Sequence, residues 1–308
     1  MPKSRKQYQK KLATRNNAVM FNFYVSLLYN LYTSCYTWEG LPDSVDVRVL
    51  ERGLISNGSV LFFYEPVLEE VICLPANPAS SLNQYGIPYL WSAFGQDGYR
   101  REVLNKDSVY CFNLNNRYSD LQAVCMYAER LTNAQRSLDV NVSMQKYPGV
   151  VRTSPELQLT VENMLQSYEA NEYLQVIDEK FDLKRFEHID FHVPYVADKL
   201  EYTNRDILAD ALNYIGVQYS SSNKRERLAS TEVDSNIGFT EACRAMHLLP
   251  RRDCAKRLNK YFGWNVKVDI NDDFVNMIKI ADVNPNALQE NHTTLYDSTE
   301  TDSTRGAL

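Results

Sequence analysis

Two groups of cationic side chains stand out as able to do chemistry. The first is Lys3, Arg5, Lys6, Lys10, Lys11 and Arg15, all ahead of the first acid, Glu39. The second is Lys224, Arg225 and Arg227, within a serine-rich stretch almost devoid of large apolar residues. Both suit salt-dependent contact with a polyanion, of which nucleic acid is the common example. The net charge of −6 hides the asymmetry: without the first six cations the remainder carries −12. A basic arm on an acidic body is a nucleic-acid-binding signature, with a merely solvated terminus as the plainer alternative.

Other chemistry finds little footing. There is no GxxxxGK[ST], no GxGxxG after a strand and no GxSxG, so no enzyme site is expected. His188 and His192 have helical spacing for a metal pair, but the Phe191 and Val193 alternation reads as strand. Asp269, Asp272 and Asp273 do not fit a calcium loop. No metal and no cofactor is expected. The six cysteines (Cys35, Cys73, Cys111, Cys125, Cys243 and Cys254) form no CxxC pair and read as buried free thiols. No apolar run is long enough to span a membrane, and residues 16–38 are too broken by Asn22, Ser26, Asn30 and Thr33 for a secretory signal. The chain reads as cytosolic.

The elements that must position these charges read as mixed α+β. An apolar and aromatic run over residues 18–37 predicts a helix stopped by Gly40 and Pro42. A short helix is expected over 45–56, then short strands such as 60–64 and 109–112 within 59–113. Ser119 and Gln122 suggest a capping box. Leu121, Val124, Ala128, Leu131, Ala134, Leu138 and Val142 then recur at spacings of three and four. They predict a helix over 119–146, about 42 Å long at about 1.5 Å per residue, ended by Pro148-Gly149.

Residues 147–193 read as a small β-rich lobe, with strands at 150–152, 174–177 and 186–193 and a short helix at 157–168. A second long helix runs from Pro194 to Gly216. Its apolar side is Leu200, Ile207, Leu208, Ala211, Leu212 and Ile215; its polar stripe is Lys199, Thr203, Asp206, Asp210 and Asn213. Two long helices that enter and leave a small lobe make a stalk with a tip. Residues 219–236 read as a mobile loop, followed by a charged helix at 240–262 and a strand at 265–270. Residues 282–308 hold five acids against Arg305 and read as a disordered tail.

Three stretches carry a resemblance. Pro194-Tyr195-Val196-Ala197-Asp198-Lys199-Leu200 leads through a helix to Gly216. Lys224-Arg225-Glu226-Arg227-Leu228 and Thr231-Glu232-Val233-Asp234-Ser235-Asn236 follow. Tyr261-Phe262-Gly263-Trp264-Asn265-Val266-Lys267-Val268 stands near the end. In this order they resemble the portal, or head–tail connector (upper collar), protein of phi29-like podoviruses. Trp38-Glu39-Gly40-Leu41-Pro42 resembles that family's N-terminal part.

The resemblance implies a phage portal fold: a long-helix stem, an α+β wing and a small β-rich (SH3-like) clip, assembled as a twelve-subunit ring around a double-stranded DNA channel. On it, residues 1–15 are a basic arm, 16–118 and 239–281 the wing, 119–146 and 194–216 the stem, 147–193 the clip and 217–238 a channel loop. Lys199 matches a channel lysine of the family. A second channel lysine has no basic match at Ile189-Asp190-Phe191-His192. Asp206 and Asp210 would repel phosphate, while Lys224, Arg225 and Arg227 would touch DNA. The implied partners are the major capsid protein and scaffold, a packaging ATPase, a packaging RNA for the basic arm, and the tail (lower collar) protein, with no membrane. The implied place is the capsid portal vertex of the virion, after assembly in the host cytoplasm. The competing reading is a soluble nucleic-acid-binding regulatory protein with a basic arm, though no short helix-turn-helix stands out.

Overall fold

The computed structural model describes residues 5–145, 149–152, 159, 163, 187–190, 193–219 and 230–283, with side chains placed for 15–145, 159, 163, 193–219 and 238–278. The chain divides into two compact units, residues 1–133 with 202–308 and residues 134–201.

The first unit opens with α1 (Arg5–Thr33). The basic segment expected as a separate arm is, from Arg5 onward, the first part of this helix. Residues 5–15 are mostly good helix formers without glycine or proline, so nothing breaks the helix before the apolar run. After α1 the chain forms β1 (Tyr36–Glu39) and α2 (Val47–Asn57). The Asp46 carboxylate accepts the Arg48 N–H and caps α2. Five strands follow: β2 (Ser59–Glu65), β3 (Glu70–Pro78), β4 (Leu90–Phe94), β5 (Arg100–Leu104) and β6 (Ser108–Phe112). They form one antiparallel sheet in the order β5-β4-β3-β2-β6. Central β2 is buried on both faces, which explains its unbroken apolar run Val60-Leu61-Phe62-Phe63. Leu61, Phe63, Ala76, Trp91, Ala93 and Val103 pack into one core cluster.

Long helices leave and return from this unit. Helix α3 (Leu121–Met144) begins after Asp120, not at the expected Ser119 cap, because the Asp120 carbonyl accepts the first helical N–H, that of Val124. Helix α4 (Ala197–Tyr214) ends at Ile215-Gly216. Gly216 has φ +86°, and a Cβ there would lie 2.4 Å from the Arg244 Cα. Only glycine allows both the left-handed turn and this approach. Helix α5 (Ser230–Phe262) starts earlier than expected, taking in part of the presumed loop. Ser230-Thr231-Glu232 supplies residue types that favour a helix start, and no glycine intervenes until Gly238.

Strand β9 (Lys267–Ile270) pairs antiparallel with β1, with Trp38 opposite Val268. The two ends of the chain therefore build one body. Gly40, φ +75°, lies so close to Asn265 that a Cβ would sit 2.4 Å from its carbonyl oxygen. A helix not expected from the sequence, α6 (Asp272–Val283), follows β9. Asp272 and Asp273 lie in its first turn, where negative charge is favoured. The acidic cluster thus has a structural use.

The second unit contains the distal part of α3, the start of α4 and a hairpin of β7 (Gly149–Arg152) and β8 (Glu187–Asp190). Asn141 on α3 fixes the entry to α4: its amide donates to the Pro194 carbonyl at 3.0 Å and accepts the Val196 N–H at 3.0 Å. His188 sits in β8 as strand, as expected. The expected helix at 157–168, apart from residues 159 and 163, the strand at 174–177 and the acidic tail from 284 lie outside the described residues.

Candidate functional site

The polar stripe expected on the second long helix lies along one side of α4. Lys199 is exposed in the first turn of α4, Thr203 is exposed, Asp206 is half-buried and Asp210 is exposed. The apolar side is turned inward, with Ile207, Ala211, Leu212 and Ile215 buried. Asp210 is not a bare anion: the Arg130 guanidinium of α3 lies 4.0 Å away, with both side chains about half exposed. Arg130 also rests over the Tyr127 ring at 5.7 Å, and Tyr127 meets Tyr214 at 6.2 Å. A row of side chains therefore links α3 to α4 at this level.

Of the cationic groups, Arg15 is exposed on α1. The backbone of Arg5, Lys6, Lys10 and Lys11 lies in α1. Lys3, Lys224, Arg225 and Arg227 lie outside the described residues.

Sequence reading missed a buried polar network at the root of α4. Two buried side-chain pairs anchor it. Arg251 on α5 bonds Glu51 on α2 at 2.7 Å, with side-chain exposures of 1% and 0%. Its guanidinium also donates to the Asn113 side chain at 3.1 Å and to the His247 carbonyl at 2.8 Å. It lies 4.2 Å over the Tyr36 ring of β1. Trp38 donates its indole N–H to Glu51 at 2.7 Å. The second pair is His247 Nε2 with Asp120 at 3.1 Å, equally buried. Asp120 also accepts from Asn113 at 2.7 Å and from the Tyr214 hydroxyl at 2.8 Å.

Burial opposes ionisation of Asp120, but the hydrogen bond and charge of His247, with Asn113 and Tyr214, outweigh it and hold the carboxyl below its usual range. Burial raises the Tyr214 hydroxyl, and the Asp120 charge adds to this. Burial alone would loosen the Arg251 proton; the Glu51 charge more than reverses that. The result is a closed set of satisfied donors and acceptors joining β1, α2, α3, α4 and α5. Two further bonds fix the same helix to α1 and β1: Tyr32 OH donates to the Ala211 carbonyl at 3.0 Å, and Tyr36 OH to that of Ile215 at 3.2 Å.

The network is inaccessible to solvent, so it positions rather than binds. No sequence spacing marks it, because Glu51 and Arg251 are 200 residues apart. Among the described residues no group of three metal-ligating side chains converges. The cysteines are unpaired, and all but the half-buried Cys125 are buried, matching the expectation. No described helix is long and apolar enough to cross a membrane.

A mixed helix-and-sheet body carries two long helices that pass into a second unit, with a polar stripe along one of them. The chain belongs to the Phage Connector (GP10) family, whose model matches residues 4–275. It is therefore a phage connector, or portal, protein and a virion component. Among solved structures it is similar to a chain in the portal and tail of native bacteriophage P68, at 17% identity and TM-score 0.45, covering 91% of this chain and 97% of that one. It is also similar to an HK97-family phage portal protein from Corynebacterium diphtheriae, at 11% identity and TM-score 0.41, covering 80% and 91%.

Proposed function

We propose that the chain is one subunit of a twelve-membered head–tail connector ring, whose channel passes double-stranded DNA inward during packaging and outward during ejection. The observation that carries this reading is the family match over residues 4–275. The ring docks a packaging motor at one stage and a tail protein at another, and does no chemistry itself. Its implied neighbours are the major capsid protein with its scaffold, the packaging ATPase, a packaging RNA and the lower collar protein.

Duplex DNA presents one negative charge per about 1.7 Å of axis. A channel that must pass it cannot grip it, so its wall should be neutral or weakly acidic with few cations. The α4 stripe has that composition: Lys199 near one end, Asp206 in the middle, and Asp210 neutralised in part by Arg130. Repeated twelve times, each becomes a ring. Lys224, Arg225 and Arg227 then supply sliding contacts that retain packaged DNA, and Lys3 to Arg15 bind a polyanion outside the channel.

Native mass measurement tests the assembly. Twelve copies of a 35.6 kDa chain give about 430 kDa. A species of one or two chains would favour a basic-armed regulatory protein instead. Neutralising Lys224, Arg225 and Arg227 together should let packaged DNA leak from filled heads; unchanged retention would remove those residues from the mechanism. Deleting residues 2–15 should flatten the salt dependence of nucleic-acid binding, by roughly 0.9 in log–log slope per lost phosphate contact.

A further inference from the structure

We infer that the β2–β3 turn of one subunit seats in a groove between β6 and α5 of the next, in a head-to-tail contact between copies of this chain. The inference rests on the ring reading above and names the surfaces that would close the ring.

The turn is Pro66-Val67-Leu68-Glu69. It displays Val67 at 87% and Leu68 at 58% exposure, with Glu69 and Glu70 exposed beside them. It is held rigidly. The Leu68 N–H donates to the Glu65 carbonyl at 3.2 Å, and the Val67 N–H to the Glu65 carboxylate at 3.3 Å. That carboxylate is buried and also pairs with Arg101 at 2.6 Å and with the Tyr99 hydroxyl. A supported turn that shows two aliphatic side chains to water leaves apolar area uncovered. The result is a small apolar knob edged by two acids.

The groove has the opposite character. It is an open cavity of about 440 Å³ walled by Tyr110, Phe112 and Pro250. Its cations are Arg117, Lys256 and Arg257, against the single acid Asp253. Arg117 donates to the Tyr85 and Gly86 carbonyls, and Lys256 pairs with Asp253 at 3.2 Å. Arg257 lies 4.1 Å over the Tyr110 ring, and its Nε is buried with no acceptor among the described residues.

The two surfaces lie at opposite ends of the same strand. Phe112 faces Ser59 in the β2–β6 register, placing the groove at the start of β2, whereas the knob follows Glu65 at its end. The separation is about 20 Å at about 3.3 Å per residue. A knob and a matching groove that cannot meet within one chain suit a heterologous contact, which closes into a ring when the rotation allows. Glu69 and Glu70 would meet Lys256 and Arg257, while Val67 and Leu68 cover the aromatic floor.

The full-length chain tests this by charge reversal and by cross-linking. Glu69→Lys with Glu70→Lys should cut the assembled fraction at least about tenfold at fixed concentration, as should Lys256→Glu with Arg257→Glu. Combining all four changes should restore the ring. A Val67→Cys, Asn115→Cys variant, which leaves the charges in place, should give a ladder of disulfide-linked subunits on oxidation, and neither single variant should. Should a charge variant unfold, the cysteine pair decides. A wild-type ring with no ladder overturns this contact alone. A wild-type chain that never assembles overturns the ring reading and this contact together.

Discussion

Charged residues occupy two contrasting settings in this protein. In the first unit, Glu51 with Arg251 and Asp120 with His247 are about 1% exposed or less and bonded on every side. On the facing sides of α3 and α4, Arg130 and Asp210 stand 4.0 Å apart and half exposed. The residue types are the same; the solvent differs. A buried pair has lost its hydration and must keep its partner, so removing one member strands the other. An exposed pair loses little when broken, because water replaces the partner. The buried set is therefore suited to fixing where α4 stands. The exposed set fixes little by itself and stays open to solvent.

Arg251→Met breaks this comparison most sharply. It leaves Glu51 buried and unpaired and should destabilise the chain by about 3–5 kcal/mol in denaturant titration. Pairing it with Glu51→Leu should recover much of that loss; no recovery would mean that the cost is packing rather than stranded charge. Next in size is Tyr214→Phe, which removes one donor to the Asp120 carboxylate and should cost about 1.5–3 kcal/mol.

The pH dependence of stability sharpens the contrast further. The Asp120 carboxyl is depressed in the folded state. Its contribution is therefore complete above its unfolded value, about 3.9, and is lost as pH falls through the lower folded value. The stability of the wild-type chain should fall with acid below about pH 4, and Asp120→Asn should flatten that fall. An unchanged slope would show that other carboxylates dominate. The smallest effect is expected for Asp210→Ala, within about 1 kcal/mol of wild type.

Periodic features of the fold were readable in the sequence. Both long helices announced themselves by apolar spacing, and the β2 core run by its length. The polar stripe of α4 was readable because helical periodicity alone sets which residues share a face. What failed to show depended on distant partners. Ser119 looked like a cap, yet the helix starts after Asp120, whose carboxylate meets His247, a partner 127 residues away that no local spacing shows. The start of α1 was set too late, because a run of positive charge was read as separation although its residues favour helix. Helix α6 was missed because Asp272 and Asp273 were weighed as calcium ligands, not as the dipole-matched first turn of a helix. The buried network had no local signature at all.

The proposed function requires the polar stripe of α4 to face a pore for duplex DNA. Electron microscopy of the purified assembly at a resolution that places helices tests it most directly. The expected result is a closed ring in which the Lys199, Asp206 and Asp210 side of α4 faces the central hole. A ring whose hole is lined instead by the five-stranded sheet, or an assembly with no hole, would contradict it.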